Sequence, residues 1–287
     1  IHEGSFRYCG LDIEQGEDYS VRVSAKDNIE KILPVSYPAN SPLTRLCNDG
    51  EVGQLRSVVG ALSWVARQCR PEWLYRVSKL QTVMNHARAQ HLREANRVLN
   101  DAVATAGEGI SFAGGAVNWD DDMIVLTVTD ASWAGELSEI NGSLEPLHSP
   151  KARMVGLAGP ALVEGHRDYV HPICFSNKTI RRVCKSTLQS ETYALQWGVE
   201  AGVRIRATIA DARGRLGDGE SLQRGWEEAS SAAMRHVLFT DCKSLCDHLT
   251  SPILGKAEDT RLSVDLMSMR RDLWTHGDVE LDALHPT

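Results

Sequence analysis

The sequence predicts an α/β fold preceded by a mostly helical block. Three observations carry this. Apolar residues recur at three- and four-residue spacing between Leu55 and Ala102, which marks amphipathic helices. After Met123, alternating apolar runs are interleaved with long helical stretches in the order βββαβα…αβ. Two of those runs, "MIVLTVTD" and "MRHVLFTD", stop on an aspartate, Asp130 and Asp241.

"FRYCGLDIEQGEDYSVRVSA" reads as two strands around a turn at Gly16-Glu17-Asp18, and "KDNIEKIL" as one or two helical turns. Residues Tyr37 to Asp49 hold prolines and polar residues and read as loop. Leu55, Val58, Val59, Leu62, Val65 and Ala66 define a first long helix. It ends at "CRP", because Pro71 disfavours the helical conformation for its predecessor. Leu74, Val77, Leu80 and Val83-Met84 give a second helix, and Leu92, Ala95, Val98-Leu99 and Ala102 a third. "AGEGISFAGGAVNWDDD" is rich in glycine and acid and reads as the boundary, giving units of 1–110 and 111–287.

In the second unit, Met123–Thr129, "RMVGLAGPALVEG" and "VHPICFSNKTI" predict a three-stranded antiparallel meander. Glu191–Leu216 is expected as a long helix with Ala194, Leu195, Val199, Val203 and Ile209 on its buried face. Gly217–Ser231 is polar and reads as loop. "MRHVLFTD" is another strand, "KSLCDHL" and "TRLSVDLMSMRRDLWT" are helices, and "VELDALHPT" is a last strand. Trp133 and Trp197 are expected in the core rather than as stacking platforms.

The chain has 287 residues, 42% of them hydrophobic and 24% charged, which is ordinary for a globular protein. It has no run of about 18 apolar residues, so no membrane partner is expected, and it opens without a signal-peptide pattern. The missing initiator methionine suggests a piece of a longer chain. Seven scattered cysteines without a CxxC pair read as reduced thiols of a cytoplasmic or nuclear protein, and Cys242 with Cys246 lacks the second close pair that a zinc site needs.

The net charge of −7 weighs against a nucleic-acid partner, but its distribution weighs for one. Between Gln54 and Asn100 eight basic residues (Arg56, Arg67, Arg70, Arg76, Lys79, Arg88, Arg93, Arg97) face only Glu72 and Glu94, a local excess of 8 − 2 = +6. A second group, Lys178, Arg181, Arg182 and Lys185, precedes Glu191. Either group reads as a solvated surface or as a grip on phosphates.

Neighbouring strands that both end on aspartate would bring two carboxylates together, and such like charges repel unless a cation neutralises them. Glu191, at the start of the long helix, offers a third carboxylate. Asp, Asp and Glu around one point suit a hard divalent cation held through oxygen, with Mg²⁺ first and Mn²⁺ as the alternative. Taken singly, each residue has an ordinary role: Asp130 and Asp241 as turn caps, Glu191 as an acid favoured at a helix N-terminus.

The ordered motifs resemble the carboxyl-terminal part of the Pol polyprotein of copia-type retrotransposons, the end of reverse transcriptase followed by ribonuclease H. "FRYCGLDIEQ" looks like the strand after the polymerase active site. "LRSVVGALSWVARQCRPEWLYRVSKLQ" is similar to the family's R-S-x-x-G-x-L-x-W-x-A-x-x-x-R-P-D, with Glu72 where aspartate is usual, and "HLREANRVLN" resembles the helix that follows. "TDASWAG", "KSTLQSETYAL" and "LFTDCKSLCDHL" resemble the three stretches that carry the family's catalytic carboxylates. Asp130, Glu191 and Asp241 are then the implied catalytic and metal-binding residues. Asp265 matches a further family aspartate, with packing or metal binding as its implied roles. The family's fourth aspartate follows a V-P-T segment, and this chain stops at "LHPT". The polymerase aspartates would precede Ile1, so no DNA synthesis by this chain alone is implied.

The resemblance implies a ribonuclease H-like mixed sheet with flanking helices, truncated at its C-terminus, after a reverse transcriptase thumb or connection remnant. It implies metal-dependent hydrolysis of the RNA strand of RNA–DNA hybrids. Partners would be a hybrid or template–primer duplex, gripped by Arg56, Arg67, Arg70, Arg76, Lys79, Lys178, Arg181, Arg182 and Lys185, and the remainder of the polyprotein. The alternative is a non-catalytic nucleic-acid-binding fragment of a decayed or truncated element.

Overall fold

The computed structural model describes all residues except 1–3, 39, 120–121, 141–142, 217–218, 252–258, 276–278 and 284–287. It divides into two compact units, Ile1–Gly115 and Ala116–Thr287.

The first unit holds strands β1 (Ser5–Tyr8), β2 (Leu11–Gln15) and β3 (Val21–Ser24), helices α1 (Lys26–Glu30), α2 (Asp49–Gln68), α3 (Leu74–Thr82) and α4 (Ala89–Ala104), and strand β4 (Gly109–Phe112). The strands form one antiparallel sheet in the order β1-β2-β3-β4. The first expected strand is thus two strands, split at Cys9-Gly10, where both residues take positive φ. The glycine-rich boundary stretch also contains a strand. Gly109 makes β4 possible, because a Cβ there would collide with the Val23 carbonyl of β3.

Helix α2 starts as a capping box: Asn48 accepts from the Glu51 amide, and Glu51 accepts from the Asn48 amide. Its buried stripe of Leu55, Val58, Val59, Leu62, Val65 and Ala66 packs with Val77 and Leu80 of α3 and Leu92, Ala95, Val98 and Leu99 of α4.

The second unit holds β5 (Ile124–Ala131), β6 (Glu136–Ile140), β7 (Ser143–His148), β8 (Pro150–Ala158), β9 (Val170–Thr179), α5 (Thr187–Ala212), α6 (Gly219–Ala233), β10 (His236–Thr240), α7 (Lys243–Thr250), α8 (Thr260–Thr275) and β11 (Val279–Ala283). Five strands form one mixed sheet in the order β11-β10-β5-β8-β9. The meander β5-β8-β9 is antiparallel, and β10 and β11 join parallel on the other side of β5. This mixed sheet with its flanking helices is the ribonuclease H-like fold class expected from the motifs.

Strand β5 is central, paired on both edges, which is why Ile124 to Thr127 are buried without alternation. Helices α5, α7 and α8 cover one face, where Leu195, Leu238, Leu245, Leu249, Leu262, Leu266 and Met269 form a continuous core. Ile124, Leu126, Val237 and Phe239 point to the other face and pack with Leu162, Val163 and Val170.

Two parts of this unit depart from expectation. Gly219–Ala233 is helix α6, not loop, with non-helical backbone at Gly225. Its polarity is that of a surface helix, and the buried Arg206 of α5 holds it by donating to Ser231 Oγ at 3.3 Å and to the Glu227 carbonyl at 3.5 Å. The hairpin β6–β7 forms a separate two-stranded sheet between β5 and β8. Asn141-Gly142, which lies between these strands in the sequence, is the turn signal that could have found it.

Among the described residues no helix is long and apolar enough to cross a membrane. All seven cysteines are free thiols.

Candidate metal centre

The parallel pairing of β10 with β5 sets the site. Phe239 pairs with Val128, and two residues further along each chain segment stand Asp241, just past the end of β10, and Asp130, near the end of β5. These are the positions where the buried runs of both strands give way to solvent. Carboxyl ends of parallel strands are where open α/β sheets place their sites.

The third carboxylate comes from α5. Ser186 caps that helix, accepting from the Gln189 amide at 3.2 Å, while Gln189 Oε1 accepts from the Lys185 amide at 2.8 Å. Glu191 is the fifth residue of the helix. Gly198 and Gly202, one turn apart, let the helix lie against β5. A Cβ on Gly198 would meet the Thr129 and Thr127 methyl groups, and one on Gly202 would meet the His236 ring and the Thr127 hydroxyl. Thr127 Oγ1 and His236 Nε2 are 2.8 Å apart in this packed layer, and burial pushes His236 down to about 3, so the ring is neutral.

Asp130, Glu191 and Asp241 each offer an oxygen, and these oxygens lie within 4.8 Å of one another. Glu191 is 4% exposed. Its Oε1 accepts from the Ala131 amide at 3.3 Å, and its Oε2 is buried with no hydrogen-bond partner. Burial first, then the Asp130 charge, raises Glu191 to about 7. Burial and the Asp241 charge push Asp130 upward too. An orphaned carboxylate oxygen beside two further carboxylates is the donor set of a hard divalent cation, so the residues fit such an ion. Asp265 stands half-buried on α8 and is not one of the three.

The basic residues separate by environment. Arg70 is buried and committed. Its guanidinium stacks 3.8 Å over Trp73, donates to the Thr105 carbonyl and Oγ1 at 2.8 Å each, and pairs with Glu72. These contacts make it an internal staple at a position where the sequence led to the expectation of a phosphate contact. Arg76 is shared between Glu94 and Asp101, at 2.9 and 2.6 Å. The expected excess of +6 overlooked Asp101 and Glu108, which lie just outside the window and return to these arginines in space. Arg56, Arg67 and Lys79 are exposed.

In the second unit Arg182 and Lys185 line a cleft of about 640 Å³ with Gln189, Tyr193, Asp259 and Arg261. Lys185 pairs with Asp259 at 3.1 Å, and that lysine holds the Asp259 carboxyl below its usual range. Arg181 is exposed. Lys178 faces elsewhere, 5.4 Å from the Trp197 ring.

Trp133 and Trp197 are not core. Trp133 is 49% exposed, with its indole N–H donating to the Cys184 carbonyl at 2.9 Å, and Trp197 is half-buried among cations. Both lie beside polar edges that apolarity alone does not reveal.

Fold and site together define an α/β protein whose mixed sheet and flanking helices have the ribonuclease H-like fold class and carry a three-carboxylate cluster. Its sequence is similar to that of a putative transposon Ty5-1 protein of Saccharomyces cerevisiae (strain ATCC 204508 / S288c), 27% identical over 192 residues, in line with the retrotransposon resemblance of the motifs. That match covers 62% of this chain and 54% of the relative, so the chain spans about half the length of the curated relative it matches. No family model matches. Among solved structures, the foamy viral protease-reverse transcriptase in complex with RNA/DNA hybrid is similar at a TM-score of 0.45 and 11% identity, over 98% of this chain and 30% of that one. Ribonuclease H1 from the halophilic archaeon Halobacterium salinarum NRC-1 is similar at 0.31 and 16% identity, over 56% of this chain and 84% of that one.

Proposed function

We propose that the second unit hydrolyses the RNA strand of RNA–DNA hybrids with a divalent cation, Mg²⁺ first and Mn²⁺ as the alternative, as part of a copia-type retrotransposon reverse transcriptase and ribonuclease H. The observation that carries the reading is the convergence of Asp130, Glu191 and Asp241, with Glu191 Oε2 left without a partner. Asp130 and Asp241, at the strand ends, and Glu191, near the start of α5, would hold the ion. When bound, the ion supplies an activated water and charge for the leaving oxygen of a phosphodiester. The chain's own part is to keep three mutually repelling carboxylates in place, which the close α5–β5 contact through Gly198 and Gly202 favours.

The first unit is read as the end of a reverse transcriptase, residues 1–110 in the sequence reading, with exposed Arg56, Arg67 and Lys79 contacting duplex phosphates without sequence selectivity. Arg76 adds to that surface only by giving up its carboxylate partners. Arg181, Arg182 and Lys185 would lie along the hybrid near the centre. Further partners are the rest of the polyprotein, and the compartment is cytoplasm or nucleus.

The test is incubation of the chain with labelled RNA–DNA hybrid, single-stranded RNA and duplex DNA in Mg²⁺. The expected result is cutting of the hybrid's RNA strand alone, leaving 3′-hydroxyl and 5′-phosphate ends. A hybrid that is retarded in a gel but stays intact would favour a non-catalytic nucleic-acid-binding fragment.

A further inference from the structure

Strands β8 and β9 place two lysines directly opposite each other: Lys151 pairs with Lys178 across the antiparallel ladder. Like charges at paired positions destabilise a sheet. Arg153, two residues along β8, lies on the same face. All three cations converge on one ring, Trp197 of α5, with Lys151 Nζ at 4.8 Å, the Arg153 guanidinium at 3.9 Å and Lys178 Nζ at 5.4 Å from its centroid.

Among the described residues none of the three makes an ion pair with a carboxylate, although Glu200 lies near enough for Lys151 and Arg153 to feel its charge. Two of them are held in place by backbone. Lys151 donates to the Tyr193 carbonyl at 3.2 Å and Arg153 to the Trp197 carbonyl at 2.6 Å. Arg153 Nε is buried with no hydrogen-bond partner. Lys178 is exposed. Three cations this close repel one another; the Trp197 ring and Glu200 offset that repulsion only in part, and a bound polyanion offsets it further.

The position indicates which polyanion. Ala152 pairs with Asp130, and Lys151 with Ala131, so the cations begin at the end of the sheet where the carboxylates stand. Glu191 and Trp197 lie on the same helix six residues apart, roughly 9 Å along its axis. A nucleic-acid strand carries one phosphate for each 3.4 Å or so of axis. We propose that Lys151, Arg153, Lys178 and Trp197 form a second phosphate-backbone contact, gripping the strand two or three nucleotides from the phosphodiester at the metal centre. This rests on the nucleic-acid reading above.

The test uses the full chain, a labelled RNA–DNA hybrid and EDTA, so that binding is read without cleavage. The apparent Kd is measured over a series of salt concentrations for the parent, Lys178→Gln and Lys178→Arg. Loss of one phosphate contact lowers the slope of log K against log salt by about 1. Lys178→Gln is expected to show that loss and several-fold weaker binding at low salt, with Lys178→Arg close to the parent. Lys178→Gln is also expected to melt at the same or a higher temperature, because it relieves the facing lysines. A lower melting temperature with an unchanged slope would mean a structural role and overturn the proposal, as would an unchanged slope alone. If the parent cuts hybrid in Mg²⁺ but the slope does not change, the contact fails and the nuclease reading stands. If the slope falls but no hybrid is ever cut, the contact stands and the nuclease reading fails. No binding of hybrid by the parent overturns both.

Discussion

Asp130 and Asp241 each stand two residues beyond a paired position, Val128 of β5 and Phe239 of β10, on adjacent parallel strands. Parallel strands in register deliver equal run-outs to the same edge, so the two carboxylates meet there without a special loop. Glu191 then closes the group from the helix that covers the sheet.

That closure costs stability in a pH-dependent way. Glu191 is raised from an ordinary 4.5 to about 7 in the folded chain. Between those values the folded state holds a proton that the unfolded state has released. Metal-free protein should therefore lose stability as pH rises from about 4.5 to 7, by on the order of 3 kcal/mol, and change little above that. Urea unfolding in EDTA across this range measures it. Glu191→Gln should flatten the dependence, and an equally steep dependence in that variant would exclude Glu191 as its source.

Divalent-ion binding should run the opposite way. Carboxylates must be ionised to ligate, so Mg²⁺ should raise the melting temperature more at pH 8 than at pH 5. Thermal scans with and without Mg²⁺ test this. A rise that is equal at both pH values would place the ion away from Glu191.

Gly202 separates packing from propensity. In an exposed helix Gly→Ala stabilises by about 1 kcal/mol. Here a Cβ meets the buried His236 ring and the Thr127 hydroxyl, so Gly202→Ala should destabilise by roughly 1–3 kcal/mol. Chemical denaturation decides the sign, and stabilisation would mean that α5 is free to move off β5.

Arg70 should matter for stability and not for binding. Arg70→Ala removes its hydrogen bonds to Thr105 and its stacking on Trp73, a loss of roughly 2–3 kcal/mol. Hybrid affinity of the folded variant should match the parent within about twofold, or about 0.4 kcal/mol. A large loss of affinity in folded protein would return Arg70 to the binding surface.

The sequence already displayed the parts of the fold that repeat. The stripe from Leu55 to Ala66 is a strong periodic signal, the runs that reach Asp130 and Asp241 are strong continuous apolar ones, and each sits where its pattern predicts. Helix α6 was hidden because a surface helix with few apolar residues resembles a loop in composition. Strand β4 was hidden because Gly109 reads as a breaker, yet it is there to admit a neighbouring carbonyl. In the candidate metal centre the residue types were legible, but their convergence depends on strand register. The Lys151–Lys178 pair was illegible for the same reason, since 27 residues separate them along the chain.

The most direct measurement is cleavage of a labelled RNA–DNA hybrid by the parent chain, Asp130→Asn and Asp241→Asn, each in Mg²⁺ and in EDTA. Loss of a metal ligand removes several kcal/mol of transition-state stabilisation, about 1,000-fold or more in rate. The parent should cut the RNA strand in Mg²⁺ only, and both variants should leave it intact while still folding. A parent that never cuts, or variants that cut as fast as the parent, would contradict the assignment of Asp130, Glu191 and Asp241 as a nuclease metal centre.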